Sequence, residues 1–415
     1  MRTSLIEENT FKKFMESYSS YYHYLHDPLY YEYISSIQEV HLLGLYEDDE
    51  LMGVSMLSAI PILKKYRQFT SHTGPLIKGF TNEKLKFFLM EVENYVKDQK
   101  ALMIIHSPYH IYQIRDAEGE VTDSTVNNRE IADVYKDLRY THHGFTKQLV
   151  NEELLRHQAV LDIRGDETDI LNHMNSTTRY NTRASERMNV QLRYLGQDEY
   201  DRFIKMYKET EARIGYDPVD VKRLKNLISI LEERLFVTLS YVDLEAYMKR
   251  LETELADLES DKFDMQKKID AGEGTKRMKN RLGEQKNLVT SKGDRLEKIR
   301  AMQAAHGNII ELSTAMYYYN NHEMVYLFSG SNPEFSMFMG TNYTTWQMIK
   351  KAKTLGLERF NFFGLTGDFT EASGDYGVYQ FKKGYNPVIE ELPGTFYKTF
   401  NRPVYKIAQK LNRIE

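Results

Sequence analysis

The chain has 415 residues, room for roughly two to three units of about 150 residues, each with its own core. With 55 Lys and Arg against 60 Asp and Glu, the net charge of −5 excludes a bulk polycation, so any contact with nucleic acid has to come from a local patch. There is no cysteine, which removes disulfides, thiolate metal ligands and thiol nucleophiles together and fits a reducing cytoplasm.

Met1-Arg-Thr-Ser-Leu-Ile-Glu-Glu has no apolar stretch behind its charge and does not read as a secretory signal. No apolar run approaches the length of about 20 residues that a membrane span needs. Val40 to Tyr46 and Leu51 to Leu57, separated by Glu47-Asp-Asp-Glu, read as a β-hairpin. Leu85, Phe88, Leu89, Val92 and Tyr95 predict a helix over 82–97, followed by the strand Ala101-Leu-Met-Ile-Ile-His. The stretch 157–163 reads as a strand, 167–188 as one helix, 190–195 as a strand and 199–214 as a helix. Beyond these, 235–242, 309–318 and 322–329 read as strands, 344–355 as a helix and 359–363 as a strand. The order of hairpin, helix and strand is similar on either side of residue 160, which suggests duplication of one α/β unit.

Residues 243–306 break this pattern with two charged helices folding back at Asp270-Ala-Gly-Glu-Gly-Thr. Leu244, Met248, Leu251, Leu255, Leu258, Met265 and Ile269 keep a coiled-coil spacing, with Lys262 as the break. Met278, Leu282, Val289, Leu296 and Ile299 form a weaker return seam that also takes in Gln285 and Lys292. The outgoing helix is mostly acidic and the return helix mostly basic, so antiparallel packing sets opposite charges face to face. The basic helix is also suited to a phosphate backbone.

No Walker loop, dinucleotide fingerprint, His-Glu-x-x-His or Gly-x-Ser-x-Gly is present. His142-His143 lacks acidic neighbours and reads as packing rather than a metal site. The segment richest in chemistry runs from Asn361 to Tyr385, where a strand ends at Gly364, a glycine-rich loop follows and Lys382 stands among aromatic rings. Backbone donors in such a loop hold anions or carbonyls, although glycines also serve simple turns. Arg179, Arg183 and Arg187 recur at i, i+4 and i+8 on one helix face, a solvated face or an anion site. Near the C-terminus Val404, Ile407, Leu411 and Ile414 oppose Lys406, Lys410 and Arg413, a pattern for docking on the first unit or for touching anionic lipid.

The run Phe362-Phe-Gly-Leu-Thr-Gly-Asp-Phe, its spacing to Asp375-Tyr-Gly-Val-Tyr-Gln-Phe-Lys-Lys-Gly-Tyr, and Ile389-Glu-Glu-Leu-Pro-Gly-Thr-Phe-Tyr-Lys closely resemble the end of FemA/FemB-type aminoacyltransferases of the FemABX family. So do His142-His-Gly-Phe-Thr-Lys, Met206-Tyr-Lys-Glu-Thr-Glu-Ala-Arg and Ser71-His-Thr-Gly-Pro-Leu. The arm's position matches as well. The resemblance spans nearly the whole chain and is strongest to the FemB branch. It implies an α/β fold of two GNAT-like subdomains with an inserted antiparallel coiled-coil arm. Subdomain A would be 1–155, with a C-terminal helix 396–415 returning to it. Subdomain B would be 156–241 and 307–395, and the arm 242–306.

The implied activity moves glycine, alanine or serine from its tRNA to an amine of the peptidoglycan stem peptide or cross-bridge. The acceptor would be lipid II or its nucleotide precursor at the cytoplasmic membrane face. An aminoacyl ester is already activated, so neither metal, cofactor nor enzyme nucleophile is needed. The lysine of the family's Phe-Lys-x-Gly motif carries over to Lys382, beside Phe381, as stabiliser of developing charge. Tyr109, Gly364, Gly367, Tyr376, Tyr379 and Lys383 are the candidate substrate contacts. Arg179, Arg183 and Arg187, with Lys276, Arg277, Lys279 and Arg281 of the arm, are the candidate tRNA contacts. A homodimer or a sister Fem-type transferase is a possible partner; a non-catalytic paralogue binding tRNA or that sister through its arm is the alternative. An acyl-CoA-dependent enzyme is disfavoured because the pyrophosphate loop Arg/Gln-x-x-Gly-x-Gly/Ala is missing. Where the resemblance implies Arg before Gly-Pro this chain has Thr73, and where it implies Asp-Pro-Tyr it has Ser107-Pro108-Tyr109. Where it implies a phosphate-contacting lysine this chain has His26, and where it implies a further basic residue it has Val219 and Arg223. These changes fall mainly in the acceptor half.

Overall fold

A computed structural model describes residues 1–122, 128–147, 155–215 and 218–414. Two twisted sheets share one plan. The first runs, edge to edge, Arg2–Leu5, Glu39–Glu47, Glu50–Leu63, Tyr66–Ser71, Ala101–His106, Phe396–Thr399 and Thr141–His142, with Leu76–Ile77 also paired to Glu50–Leu63. The second runs Val190–Tyr194, Leu235–Asp243, Ile309–Tyr319, Glu323–Ser331, Arg359–Leu365, His157–Asp162, Val388–Glu391 and Gln113–Arg115. Each sheet contains one parallel junction among its described strands: Tyr66–Ser71 with Ala101–His106, and Glu323–Ser331 with Arg359–Leu365. A parallel pair needs a crossover, and a helix supplies it in both, Asn82–Asp98 in the first and Gly340–Thr354 in the second. These are the two GNAT-like units that the resemblance implies.

Helix spacing explains how each core closes. Leu85, Phe88, Leu89, Val92 and Val96 fall on one face of the first crossover helix and pack on Leu57, Phe69 and Ile104. Trp346, Ile349 and Ala352 of the second pack on Tyr317, Phe360 and Phe362. The halves exchange edges. Phe396–Thr399, near the chain's end, pairs with Ala101–His106 in the first sheet, while Gln113–Arg115, from the first 155 residues, pairs with Val388–Glu391 in the second.

Two expected elements change. The helix over 167–188 is two helices, Glu167–His173 and Ser176–Arg187, because Asn175 leaves helical geometry and its side chain caps Thr178 N at 2.8 Å. The segment 396–415 begins as a strand, and only Arg402–Lys410 is helical.

The arm consists of Leu244–Lys268 and Lys276–His306, joined by a turn in which Gly272 takes φ +83°. Twenty-five helical residues reach about 37 Å. Its base is core: Leu244, Tyr247, Leu251, Leu296 and Ile299 are buried against Val242, Ile310 and Phe338. Toward the tip burial thins to Leu282 and Gln285, whose amide donates to Leu258 O at 3.3 Å. The expected charge zipper is short. Ion pairs between the two helices are limited, among the described residues, to Lys292–Glu254 and Arg300–Glu252, both in the half nearer the base.

Candidate functional site

Lys382 is buried on the helix Tyr376–Lys383, below the end of strand Arg359–Leu365. Its Nζ donates to Gly364 O at 2.6 Å and Phe363 O at 3.4 Å. Burial pushes this amine down to about 7, against the pull of nearby Asp375. The carbonyls point there because the strand is broken: pairing with His157–Asp162 shifts register between Asn361 and Gly364, and Phe363 holds φ +65° inside the bulge. A left-handed phenylalanine is strained, and the Asn361 side chain holds it by accepting from Phe363 N at 2.8 Å. The Phe363 ring lies beside His23 and Tyr24 of the other half, at centroid distances of 5.8 and 6.5 Å. The break thus sits where the two units meet.

The loop between strand and helix is organised by Asp375, which is itself buried. Its carboxylate accepts from Thr366 N at 3.0 Å, Thr366 Oγ1 at 2.8 Å and Ser373 Oγ at 2.5 Å. Gly367 takes φ +81° and lies over His157, where a Cβ would come within 2.3 Å of the imidazole. Gly364 likewise has no room for a Cβ, which would reach 1.9 Å from Leu155. Beneath the bulge Arg359 is buried between two carboxylates, Nε to Glu323 at 3.0 Å and a fork to Glu390 at 3.0 and 2.8 Å. Asn361 and Tyr109 both reach the Gln158 side-chain oxygen, at 2.8 and 3.3 Å. Burial, with Glu323 nearby, pushes the Tyr109 phenol well above its usual range.

Of the other sequence candidates near Lys382, Phe381 packs edge-on to Tyr385 at 5.4 Å, and half-buried Tyr376 lies beside Tyr379. Tyr379 and Lys383 have structural partners. The Tyr379 hydroxyl donates to Ala117 O at 2.9 Å, and Lys383 pairs with Glu118 at 3.3 Å, tying this helix to a turn of the first half. Asp375, His157, Gln158, Asn361 and Arg359 were missed in sequence. For His157, Gln158, Asn361 and Arg359 the signal is a polar residue set in an apolar strand run, which reads as noise until the strands are paired, whereas Asp375 lies in the loop before the helix.

The arginine helix is a neighbour. Gly384 follows the Lys382 helix and abuts Thr178, with Asn175 N donating to Gly384 O at 2.9 Å. Arg179 is half-buried and donates to Asn172 O, Arg183 is exposed, and Arg187 lies over Tyr180, which is 62% exposed. Lys276, Arg277, Lys279 and Arg281 are exposed near the arm tip and have no carboxylate within ion-pair distance among the described residues. The structure brings Arg179 and its helix to Lys382 and carries the arm cations away from it.

Of the four residues that depart from the expected pattern, two meet, His26 and Thr73, and the other two have separate partners. His26 Nδ1 and Thr73 Oγ1 are 2.5 Å apart and buried, beside Gly74. Burial lowers the imidazoles of His23, His26 and His72 to about 3, 3 and 4. Ser107 Oγ bonds Thr395 Oγ1 at 2.9 Å, and Val219 N donates to Glu211. His142 packs on Phe396 and bonds Pro393 O at 2.8 Å, and no cluster of metal-ligating side chains occurs among the described residues.

Two sheets built on one strand plan, with a lysine buried at a broken strand end where the halves meet, set the candidate site in a duplicated α/β frame. The chain belongs to the FemAB family, whose profile matches residues 6–413. It is 31% identical over 380 residues to the aminoacyltransferase FemA of Staphylococcus aureus (strain MRSA252), covering 91% of this chain and 90% of that protein. To the aminoacyltransferase FemB of Staphylococcus epidermidis it is 32% identical over 380 residues, covering 91% and 89%. The crystal structure of FemX superposes with a TM-score of 0.79, covering 98% of this chain and 99% of that one at 20% identity. The chain is accordingly an aminoacyltransferase of the Fem type. No helix among the described residues is long and apolar enough to cross a membrane.

Proposed function

We propose that this enzyme transfers glycine, alanine or serine from aminoacyl-tRNA to an amine of a peptidoglycan precursor, lipid II or bridge-extended lipid II, with Lys382 stabilising the charge that develops on the ester carbonyl. The observation that carries this is Lys382 itself: a buried amine with three N–H bonds in its charged form, of which two are directed at Gly364 O and Phe363 O. The third is left for an oxyanion, and a dry site strengthens that interaction. The acceptor amine attacks the ester carbon, the tetrahedral intermediate collapses, and the tRNA ribose hydroxyl leaves with a proton. Asp375 fixes the loop before the helix and keeps a negative charge near Lys382, favouring the cation. Gly364 and Gly367 let the backbone approach closely where a Cβ would collide, and Phe381 and Tyr376 frame the helix beside the site.

Arg183 and Arg187, with the exposed Tyr180 ring, suit the acceptor end of a tRNA, through phosphate contacts and a stacking face. Lys276, Arg277, Lys279 and Arg281, about 37 Å out on the arm, suit its backbone farther away. Neutral His26 and Thr73, at positions where the family resemblance implies cations, support an acceptor recognised in a different way.

The test is transfer of radiolabelled glycine, alanine or serine from charged tRNA to lipid II and to bridge-extended lipid II, with Lys382→Ala alongside. Label entering lipid with the wild type and falling about 100-fold or more with the variant is the expected result. Folded wild-type protein giving no label with any donor and acceptor pair would overturn the proposal.

A further inference from the structure

The helix Arg402–Lys410 does not bury its whole apolar face. Ala408 is fully buried, and Val404, Tyr405 and the following Ile414 pack with it over Ile62, Leu102, Leu63 and Tyr66 of the first sheet. Pro403, Ile407 and Leu411, at i, i+4 and i+8, form a stripe beside that docked face and stay in solvent, with Ile407 52% and Leu411 58% exposed. On the stripe's other side stand Arg402, Lys406, Lys410 and Arg413, all exposed. The turn Lys64-Lys65 joins them, because its neighbours Leu63 and Tyr66 belong to the cluster on which the helix sits and Asn401 bonds the Tyr66 hydroxyl at 3.4 Å. None of these six cations has an ion-pair partner among the described residues, and 401–414 contains no carboxylate. In a chain with more acidic than basic residues, an uncompensated basic rim along an open apolar stripe is a local arrangement.

We infer that this surface docks on an anionic phospholipid bilayer, with Ile407 and Leu411 entering the boundary between headgroups and acyl chains and the six cations meeting lipid phosphate. The order of groups around the helix, from protein to apolar stripe to cations, matches a helix lying in the interface plane. A nucleic acid would satisfy the cations but leave the stripe in water. A second copy would bring like charges together. The surface belongs to the first sheet and lies apart from Lys382, so its behaviour does not depend on the transfer reaction being as proposed.

The experiment is co-sedimentation of the full chain with vesicles of neutral phosphatidylcholine, or of the same lipid carrying about 30% phosphatidylglycerol. The wild type is expected to bind the anionic vesicles alone and to release as salt rises from about 0.05 to 0.5 M. Ile407→Ser with Leu411→Ser should weaken binding about tenfold, and Lys406→Glu with Lys410→Glu about 100-fold. Both pairs are solvent-exposed, so thermal melts and circular dichroism should match the wild type. Equal affinity for neutral and anionic vesicles, or no binding to either, would overturn the inference. So would loss on charge reversal with no loss on removing the apolar pair, accompanied by weaker tRNA binding in a filter assay, since that result marks a polyanion site. Light scattering that shows a wild-type dimer split by Ile407→Ser and Leu411→Ser would assign the stripe to a second copy instead.

Discussion

The two halves repeat one strand plan and differ at two corresponding places. Where the first half joins Glu39–Glu47 to Glu50–Leu63 with a two-residue turn, Asp48 and Asp49 at φ +46° and +64°, the second half joins Leu235–Asp243 to Ile309–Tyr319 through the arm. The sheet accepts either, because its register is held by buried side chains along the strands and the connection lies outside it. The second difference follows the parallel junction. Ala101–His106 is nearly all apolar, and the helix after it, Glu130–Asp137, buries Ile131, Val134 and Tyr135. Arg359–Leu365 carries a buried arginine and a bulge, and the helix after it buries Lys382. One half buries apolar side chains there and the other buries charged ones, at the same point of the same topology.

The sharpest break of this contrast is at Arg359. Arg359→Ala leaves Glu323 and Glu390 buried without their partner, and should cost about 3–5 kcal/mol in urea unfolding. An alanine at Met103 of the corresponding strand should cost about 2–5 kcal/mol through lost packing alone. The two mechanisms separate by pH. The Arg359→Ala loss should shrink in acid, where the carboxylates take up protons, and the Met103→Ala loss should not.

Lys382→Ala should lower transfer about 100- to 1000-fold, yet leave the protein as stable or more so, because an amine held at about 7 is costly to bury. The linkage has a definite sign. The folded value lies below the ordinary 10.5, so between about 7 and 10.5 the unfolded chain binds the extra proton and stability rises with pH across that window. Lys382→Met should flatten that rise in melts taken at successive pH values. For catalysis the sign reverses: transfer that uses the Lys382 cation should decline as pH climbs through about 7, and the residual activity of Lys382→Ala should lack that limb.

Gly367→Ala puts a Cβ at φ +81° against His157 and should cost about 1–3 kcal/mol, with a loss of transfer read at temperatures where the fold is intact. The smallest effect concerns the arm. Deleting 257–290 and closing the helices with a short turn keeps the base residues Tyr247, Leu251, Leu296 and Ile299, and should change stability by less than about 1 kcal/mol. Affinity for tRNA, measured by filter binding, should fall about tenfold with a shallower salt dependence. Unchanged affinity would return the arm to a purely structural or partner-binding role.

Much of the scaffold was readable. The hairpin at 40–57, the crossover helix beginning at Asn82 and the strand at 101–106 stand as predicted, because apolar spacing distinguishes a period of 3.6 from one of 2. The single helix expected over 167–188 is two, because Asn175 caps the second and leaves helical geometry between them. The candidate site was partly legible. The glycines and Lys382 stood out, whereas Asp375, His157 and Arg359 did not, because a buried polar residue acquires meaning only from the partner that satisfies it.

The sequence by itself determined the kinds of element, the existence and length of the arm, and the segment in which the candidate site lies. These depend on local spacing and on residue type. Tertiary structure decided which strands share a sheet: Gln113–Arg115 crosses into the second and Phe396–Thr399 into the first, since strands of three or four residues define two faces but no partner. It also decided that Lys382 is buried against two carbonyls, that the arm's charges pair only near its base, and that one stripe of the last helix stays open. Burial and pairing are properties of what lies on the other side of a contact, and the other side is distant in sequence.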